Sequence, residues 1–171
     1  MNKTIAKRML NEPEKHPVCA LRNGRAYVGT GYYLIRYHAD NIPLDEQNAQ
    51  YCETYDKIFE KFSTMAQANT TLPSVKELKE YKKSYMDSNP DIKKKKEFPF
   101  PLMINSTSEK IYVKGNQLQN LLEAFGPREV MAYVSDSLLK PIYLWAPVYH
   151  NVLNYENVDD ALLMPFNPKK N

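Results

Sequence analysis

The residue types that most often perform catalysis or bind metals are present, but their spacing fits none of the common sites. The three histidines, His16, His38 and His150, are far apart, and none has a second ligand at metal-binding spacing. No GxSxG, P-loop, HExxH or GxGxxG motif occurs. The adjacent carboxylates Asp159 and Asp160 would point to opposite faces of a strand, which favours a turn or capping role. We therefore predict no catalytic residue, no metal and no cofactor, and a protein that is not an enzyme.

The two cysteines, Cys19 and Cys52, lie in different predicted elements, and no CxxC motif is present. They are expected to be small buried hydrophobic residues of a reducing compartment. His38 and Asp40 would form an acid/base pair only beside a nucleophile, which a thiol is not expected to supply here. No apolar run approaches the roughly 20 residues of a membrane span, and no secretory signal is recognisable. We predict a cytoplasmic protein without a membrane partner.

Positive charge is the second feature with chemical meaning. The formal net charge of +3 is a weak indication of nucleic-acid binding. Four consecutive lysines can attract phosphates, although such a run is more often a solvated loop. Basic residues also occupy one side of a predicted N-terminal helix, where they are either solvated or face phosphates. If the protein contacts DNA, we expect these residues to do so: Lys3, Lys7, Arg8, Lys79, Lys82, Lys83, Lys93, Lys94, Lys95 and Lys96.

The last third of the chain has the clearest pattern of secondary structure. A helix is predicted from Asn116 to Phe125, because apolar residues recur there at helical spacing. Asn116 is the predicted N-cap, and Gly126 followed by proline is the predicted stop. Residues 147–160 are predicted to form a loop before a buried last strand. The strands predicted around the helix are Ile111–Lys114, Val130–Ser135, Pro141–Ala146 and Ala161–Pro165.

The first third of the chain repeats this order of one helix and three strands. The helix is predicted over residues 3–11. Asn23-Gly24 predicts a two-residue hairpin, because both central positions of such a turn favour positive φ. The predicted strands are Val18–Arg22, Arg25–Thr30 and Tyr32–His38.

The stretch between these thirds, about residues 45–97, predicts two helices. The first has an apolar stripe from Tyr51 to Met65. Thr70–Pro73 is predicted to be a turn, and Ser74 with Glu77 forms a capping box that begins the second helix. Phe98–Pro101 is predicted to be extended, since proline disfavours helix in the residue before it.

Several words in this order resemble a bacterial DNA sliding clamp, the β subunit of DNA polymerase III. They are VKGNQL at 113–118, LKPI at 139–142, ALLMPF at 161–166 and NGRAYVGTGYYL at 23–34. The resemblance implies one α+β, DNA-clamp-like domain over residues 1–171, built from two helix-plus-three/four-strand halves. Its core would be about 1–44 and 98–168, with an inserted helical hairpin at about 45–97.

The resemblance also implies a function. A clamp domain holds DNA electrostatically on its helix face, without reading bases. The predicted role is a non-catalytic accessory (processivity) factor of DNA replication or repair. Its expected partners are double-stranded DNA, bound weakly, polymerase or other replication proteins, and further copies of the chain. In the clamp family a pocket holds short peptides from such proteins, and the residues that correspond to it here are Gly31, Tyr32, Tyr33, Leu34, Met164 and Pro165.

The alternative is a protein-interaction module that has kept the clamp fold and lost DNA encirclement. The chain is rich in tyrosine, with 13 residues, and tyrosine gives a large contact area at low entropic cost. The position of the inserted helices discriminates between the two hypotheses. Helices that fold over the DNA-facing helix would block DNA, whereas helices that project away would leave that face open.

Overall fold

The computed structural model describes residues 18–22, 24–38, 50–51, 54–64, 68–90, 97–126, 129–135, 140–146 and 159–166. Over these ranges the chain is an α+β protein with three helices and a mainly antiparallel sheet. The predicted helix at 3–11 and the lysine run at 93–96 lie outside the described residues. The strands are β1 Val18–Arg22, β2 Arg25–Gly29, β3 Tyr33–His38, β4 Gln50–Tyr51, β5 Ala68–Thr70, β6 Pro99–Met103, β7 Lys110–Lys114, β8 Met131–Val134, β9 Ile142–Ala146 and β10 Asp159–Leu163. The helices are α1 Thr54–Thr64, α2 Val75–Ser88 and α3 Gly115–Phe125.

Eight strands form one sheet in the order β4-β1-β2-β3-β10-β9-β8-β5. All neighbours are antiparallel except β1 and β4. The last strand therefore pairs with the third one, which joins the two predicted halves in a single sheet. Both edge strands come from the central stretch, for which two helices and a turn are predicted. The predictions that Tyr51 is helical and that Thr70 lies in a turn are thus wrong, since the two residues lie in β4 and β5.

The first hairpins follow the glycine pattern of the sequence. Gly24 has a φ of 69° between β1 and β2, as a primed turn requires. At the next turn, a Cβ on Gly29 would lie 2.8 Å from the Cα of Leu34. The Thr30 amide donates a 2.8 Å hydrogen bond to the carbonyl of Tyr33 across the same turn. Only a residue without a side chain allows this close approach of two backbones.

Helix α3 lies on the inner face of the sheet and supplies the centre of the core. Leu118, Leu121 and Phe125 are buried, as the helical spacing predicted. The helix ends where predicted, because Gly126 takes a φ of 74° and its amide donates to the carbonyl of Leu122 at 3.1 Å. The prediction of an asparagine N-cap is wrong. The cap residue is Lys114, which makes no side-chain capping bond, and helix α3 begins one residue earlier than expected.

Strands β6 and β7 form a separate hairpin that connects to the large sheet at both ends. Isolated bridges join Thr70 to Ile104 and Val113 to Pro165. The amide of Ile104 donates toward the β7 side of the hairpin, to Glu109. Backbone amides point alternately to the two sides of a strand, so the backbone nitrogens of Pro99 and Pro101 point away from β7, to the outer edge of β6.

Helix α2 packs against α3 on the inner face. Ser74 and Glu77 form the predicted capping box, with the two bonds at 3.2 and 2.6 Å. Leu78 is fully buried in the core, and Tyr81 and Tyr85 pack beside the ring of Phe98. The second predicted helix is therefore confirmed. It lies against α3, the helix that would face DNA if the clamp resemblance holds.

Helix α1 lies on the opposite, outer face of the sheet. Tyr27, Leu34 and Leu162 alternate along their strands with residues of the inner core, so their side chains point outward. They form a second apolar cluster with Phe59 of α1, which is fully buried. The two helices of the central stretch thus cover opposite faces of one sheet.

Candidate functional site

Two of the lysines predicted to contact DNA are directed onto helix α3. The ammonium group of Lys82 donates a 3.0 Å hydrogen bond to Oδ1 of Asn116. Lys79 forms an ion pair with Glu123, with Nζ 3.5 Å from Oε1. Lys79 stays exposed in this pair, and Lys83 on the same helix is exposed as well. Lys3, Lys7, Arg8 and Lys93–Lys96 lie outside the described residues.

Helix α3 consequently has no exposed residue along its length. Its apolar side faces the core, and its polar side, with Asn116, Gln119, Asn120 and Glu123, is half-buried. Gln119 also donates a 2.8 Å hydrogen bond to Glu123. A phosphate backbone needs accessible cationic groups, and this helix offers amides and a paired carboxylate under a second helix.

The structure brings the two parts of the predicted peptide pocket together. The amide of Met164 donates a 2.8 Å hydrogen bond to the carbonyl of Tyr32, and Met164 and Pro165 are half-buried. Gly31 is exposed, and the Tyr32 side chain is 42% exposed. Tyr33, by contrast, is directed into the core with 1% exposure, so it does not line this surface.

Leu34, the remaining pocket residue, has other contacts than Tyr32, whose ring lies against the ammonium group of Lys114. Its half-buried side chain belongs to the outer apolar cluster that α1 covers. The predicted pocket is therefore divided. One part is the open surface of Tyr32 and Met164, and the other is the sheet face under α1.

A buried lysine that the sequence reasoning missed completes the open part. Lys114 is 8% exposed, and its Nζ lies 3.3 Å from the ring centroid of Tyr32. The same ammonium group is 3.3 Å from Oε1 of Glu97. A cation on a tyrosine face is favourable when it is partly desolvated, so Lys114 holds the exposed ring in place. The sequence feature that could have indicated this role is its position at the junction between β7 and α3.

A polar network lies under α1 on the outer face. Arg36 binds Asp160 through two hydrogen bonds, of 2.9 and 2.7 Å, and Tyr143 donates a third to the same carboxylate at 3.1 Å. On the α1 side, Asp56 accepts a hydrogen bond from the hydroxyl of Tyr27 and lies 3.6 Å from Arg36. The prediction that Asp159 and Asp160 lie in a loop is wrong, since both belong to β10 and Asp160 is buried.

Burial governs the ionisation of this network. It raises the pKa of the Tyr27 hydroxyl, and the hydrogen bond to Asp56 adds to the rise. It also raises the pKa of the Tyr143 hydroxyl, with the charge of Asp160 acting in the same direction. Burial raises the pKa of Asp160 as well, against the hydrogen bonds from Arg36 and Tyr143. Both tyrosines are therefore neutral donors at physiological pH. Tyr27 bonds α1 through Asp56, whereas Tyr143 bonds within the sheet, to Asp160.

A cleft of about 680 Å³ opens where α2 begins, between β5 and the end of α3. Hydroxyl and amide side chains such as Thr71 and Asn105 line it together with apolar ones, and among the described residues of its lining only Glu129 is titratable. The volume is in the range of small-molecule sites, but the described residues of the lining offer one carboxylate and no second titratable group to pair with it. Over the part of the chain that the structure describes, no group of three His, Cys, Asp or Glu residues is placed to hold a metal.

Comparison with protein-family models, with curated proteins and with solved structures finds no match for this chain. Among the described residues, none of the helices combines the length and the apolar character needed to cross a membrane.

Proposed function

We propose that this protein is a non-catalytic accessory protein of DNA replication or repair with a clamp-like fold, and that it acts by binding other proteins. The observation that carries this choice is the covering of α3 by α2. Lys82 and Lys79 bind α3 residues, and this contact occupies the face that a clamp would turn toward DNA. Of the two hypotheses drawn from the sequence, the interaction module therefore has the stronger support.

The order of elements supports the clamp-like part of the proposal. The sequence words that resemble the clamp fall on β7 and the start of α3, on the chain entering β9, and on β10. Met164 and Tyr32, which correspond to pocket residues in that family, are joined by a backbone hydrogen bond. The Tyr32 ring is exposed, Met164 is half-buried, and the charged groups of Lys114 and Glu97 lie next to the ring. The loop thus offers an apolar contact bordered by polar groups, as protein interfaces do.

The proposed partner is a short extended segment of a replication or repair protein that places an apolar side chain beside Tyr32. Its binding can be measured by NMR, with labelled methionine methyl groups as reporters, against peptides that carry leucine and phenylalanine. Peptide addition should shift the Met164 signal, and Tyr32→Ala should weaken binding roughly tenfold, as loss of an aromatic anchor does. Met103→Ala is the matched control, because Met103 is 41% exposed on a different element. Equal weakening by both variants would contradict a site at Tyr32.

DNA encirclement is the second candidate, and the exposed Lys83 together with the sequence run at 93–96 favours it. It predicts a ring-sized oligomer whose association with duplex DNA weakens steeply as salt increases. Light scattering of the full chain, with and without a short duplex at low and physiological salt, tests this. A monomer or dimer that ignores DNA at low salt would exclude encirclement and leave the protein-docking proposal in place.

A further inference from the structure

The sheet face under α1 is a second apolar surface, separate from the Tyr32 loop. Its centre consists of Tyr27 and Leu162, with Leu34 and Tyr143 half-buried at its border. Arg36 lies beside it, and the guanidinium carbon is 4.6 Å from the centroid of the Phe59 ring. The face therefore combines an apolar floor with one cation that can receive an acidic residue.

Helix α1 shows what kind of segment fits this face. Tyr55, Ile58, Phe59 and Phe62 pack against it at positions i, i+3, i+4 and i+7. This spacing is the one by which an amphipathic helix enters a groove in protein recognition. Asp56 adds a carboxylate opposite Arg36 and Tyr27. The ligand pattern is thus an aromatic, amphipathic helix with one acidic residue next to its first anchor.

Helix α1 is short, and one face of it makes the contacts with the sheet. Of its eleven residues, Phe59 alone is buried. A helix of this length is marginal by itself in water. The ion pair of Arg36 with Asp160 lies entirely within the sheet, and it would stay complete if Asp56 left. Because Arg36 and Asp160 pair with each other, separation of α1 would leave neither of these two charges unpaired.

We infer that α1 is a resident occupant of a docking surface for a partner's amphipathic helix of the same pattern, and that binding displaces α1, a step that rests on the function proposed above. A partner helix of this kind places aromatic anchors on Tyr27 and Leu162 and a carboxylate on Arg36. Since Leu34 corresponds to a pocket residue of the clamp resemblance and lies on this face, α1 controls access to that part of the predicted pocket.

The test uses the full chain and a fluorescent peptide of residues 54–64, followed by fluorescence anisotropy. Phe59→Ala in the protein removes the internal anchor and leaves the sheet face intact. The Phe59→Ala protein should bind the peptide roughly tenfold or more tightly than the wild type does, because its own α1 occupies the sheet face for less of the time. Lys57→Ala is the control, because Lys57 is exposed on α1. The same peptide carrying Phe59→Ala should not bind.

Equal affinity of the wild type and the Phe59→Ala protein, or no binding to either, would overturn the inference. If Phe59→Ala fails to fold, hydrogen exchange of the wild type decides the matter. The amides of α1 should exchange faster than those of α2 and without global unfolding. Exchange of both helices only at the global rate would equally overturn it. Tyr32→Ala should leave binding of this peptide unchanged, so the docking site at Tyr32 and the one under α1 can fail separately.

Discussion

The start of α3 provides the most direct test of how this core is packed, through the substitution Gly115→Ala. A methyl group at this position would lie 2.6 Å from Cδ2 of Phe98, and closer still to two other atoms of that ring. The ring has little room to move, because Phe98 is 1% exposed and contacts Tyr81, Tyr85 and Lys82. The backbone is fixed too, since the Gly115 amide donates a 2.8 Å hydrogen bond to the Phe98 carbonyl.

Two opposing effects set the magnitude. Alanine in a helix is favoured over glycine by up to about 1 kcal/mol, partly through the entropy of the unfolded chain. Overpacking of a close-packed core costs about 1–3 kcal/mol, and a contact as short as this one belongs at the upper end of that range. We expect Gly115→Ala to lower the free energy of unfolding by about 2 kcal/mol. For a domain of this size, that corresponds to a fall in Tm of about 4–8 °C.

The assay is urea unfolding followed by circular dichroism, with Gly31→Ala as the control. A Cβ at Gly31 would meet nothing within 4 Å, so its effect on stability should be small. Phe98→Leu combined with Gly115→Ala should cost less than the sum of the two single changes, because the smaller side chain relieves the contact. If Gly115→Ala is as stable as the wild type, the close approach of α3 to Phe98 is not a constraint, and the reasoning is refuted.

Three further predictions concern the helix cap and the network under α1. Ser74→Ala should lower the free energy of unfolding by about 1 kcal/mol, because the capping bond is lost. Ser84→Ala, at an exposed helical site, should not lower it. Equal urea midpoints for the two variants would contradict a role for the cap. Arg36→Ala should cost about 3–5 kcal/mol, because it leaves the buried Asp160 without its cation; a loss below 1 kcal/mol in urea unfolding would argue against this pairing. Burial raises the pKa of Tyr27, so its neutral form contributes fully to stability below pH about 10, where the tyrosine of the unfolded chain ionises. Above that pH the contribution is lost progressively as the pH rises toward and through the raised pKa. Between pH 8 and 11 the wild type should therefore lose more stability than Tyr27→Phe, and parallel losses would contradict the assignment.

Local signals in the sequence predicted most of the elements that the structure describes. The capping box at Ser74 and the glycine at 126 fixed the start of α2 and the end of α3, because each satisfies backbone groups within one turn. The edge strands β4 and β5 were missed, since strands of two and three residues are defined by their neighbours rather than by a periodic pattern.

The site was harder to predict because its contacts are long-range. Asp160 lies 124 residues from Arg36, so its burial in a strand depends on a partner that no local pattern indicates. Lys114 ends a predicted strand, and no local pattern indicates that its ammonium group lies over the Tyr32 ring. Lys79 and Lys82 are predicted to face solvent or DNA, whereas the packing of α2 on α3 brings both to polar groups of their own chain, with Lys79 still exposed. Helical periodicity distinguishes an apolar from a polar face, but it does not say what the polar face meets.

The outer edge of β6 has a consequence for how copies of this protein meet. Pro99 and Pro101 occupy the outward-facing positions, so that stretch of edge has no amide hydrogen to offer a neighbouring strand. At its far end the Asn105 amide is already bonded to the Asn69 carbonyl of β5. Such an edge resists strand addition from another molecule, which protects against edge-to-edge aggregation. Copies that assemble along this side must therefore do so through side chains rather than through a shared sheet.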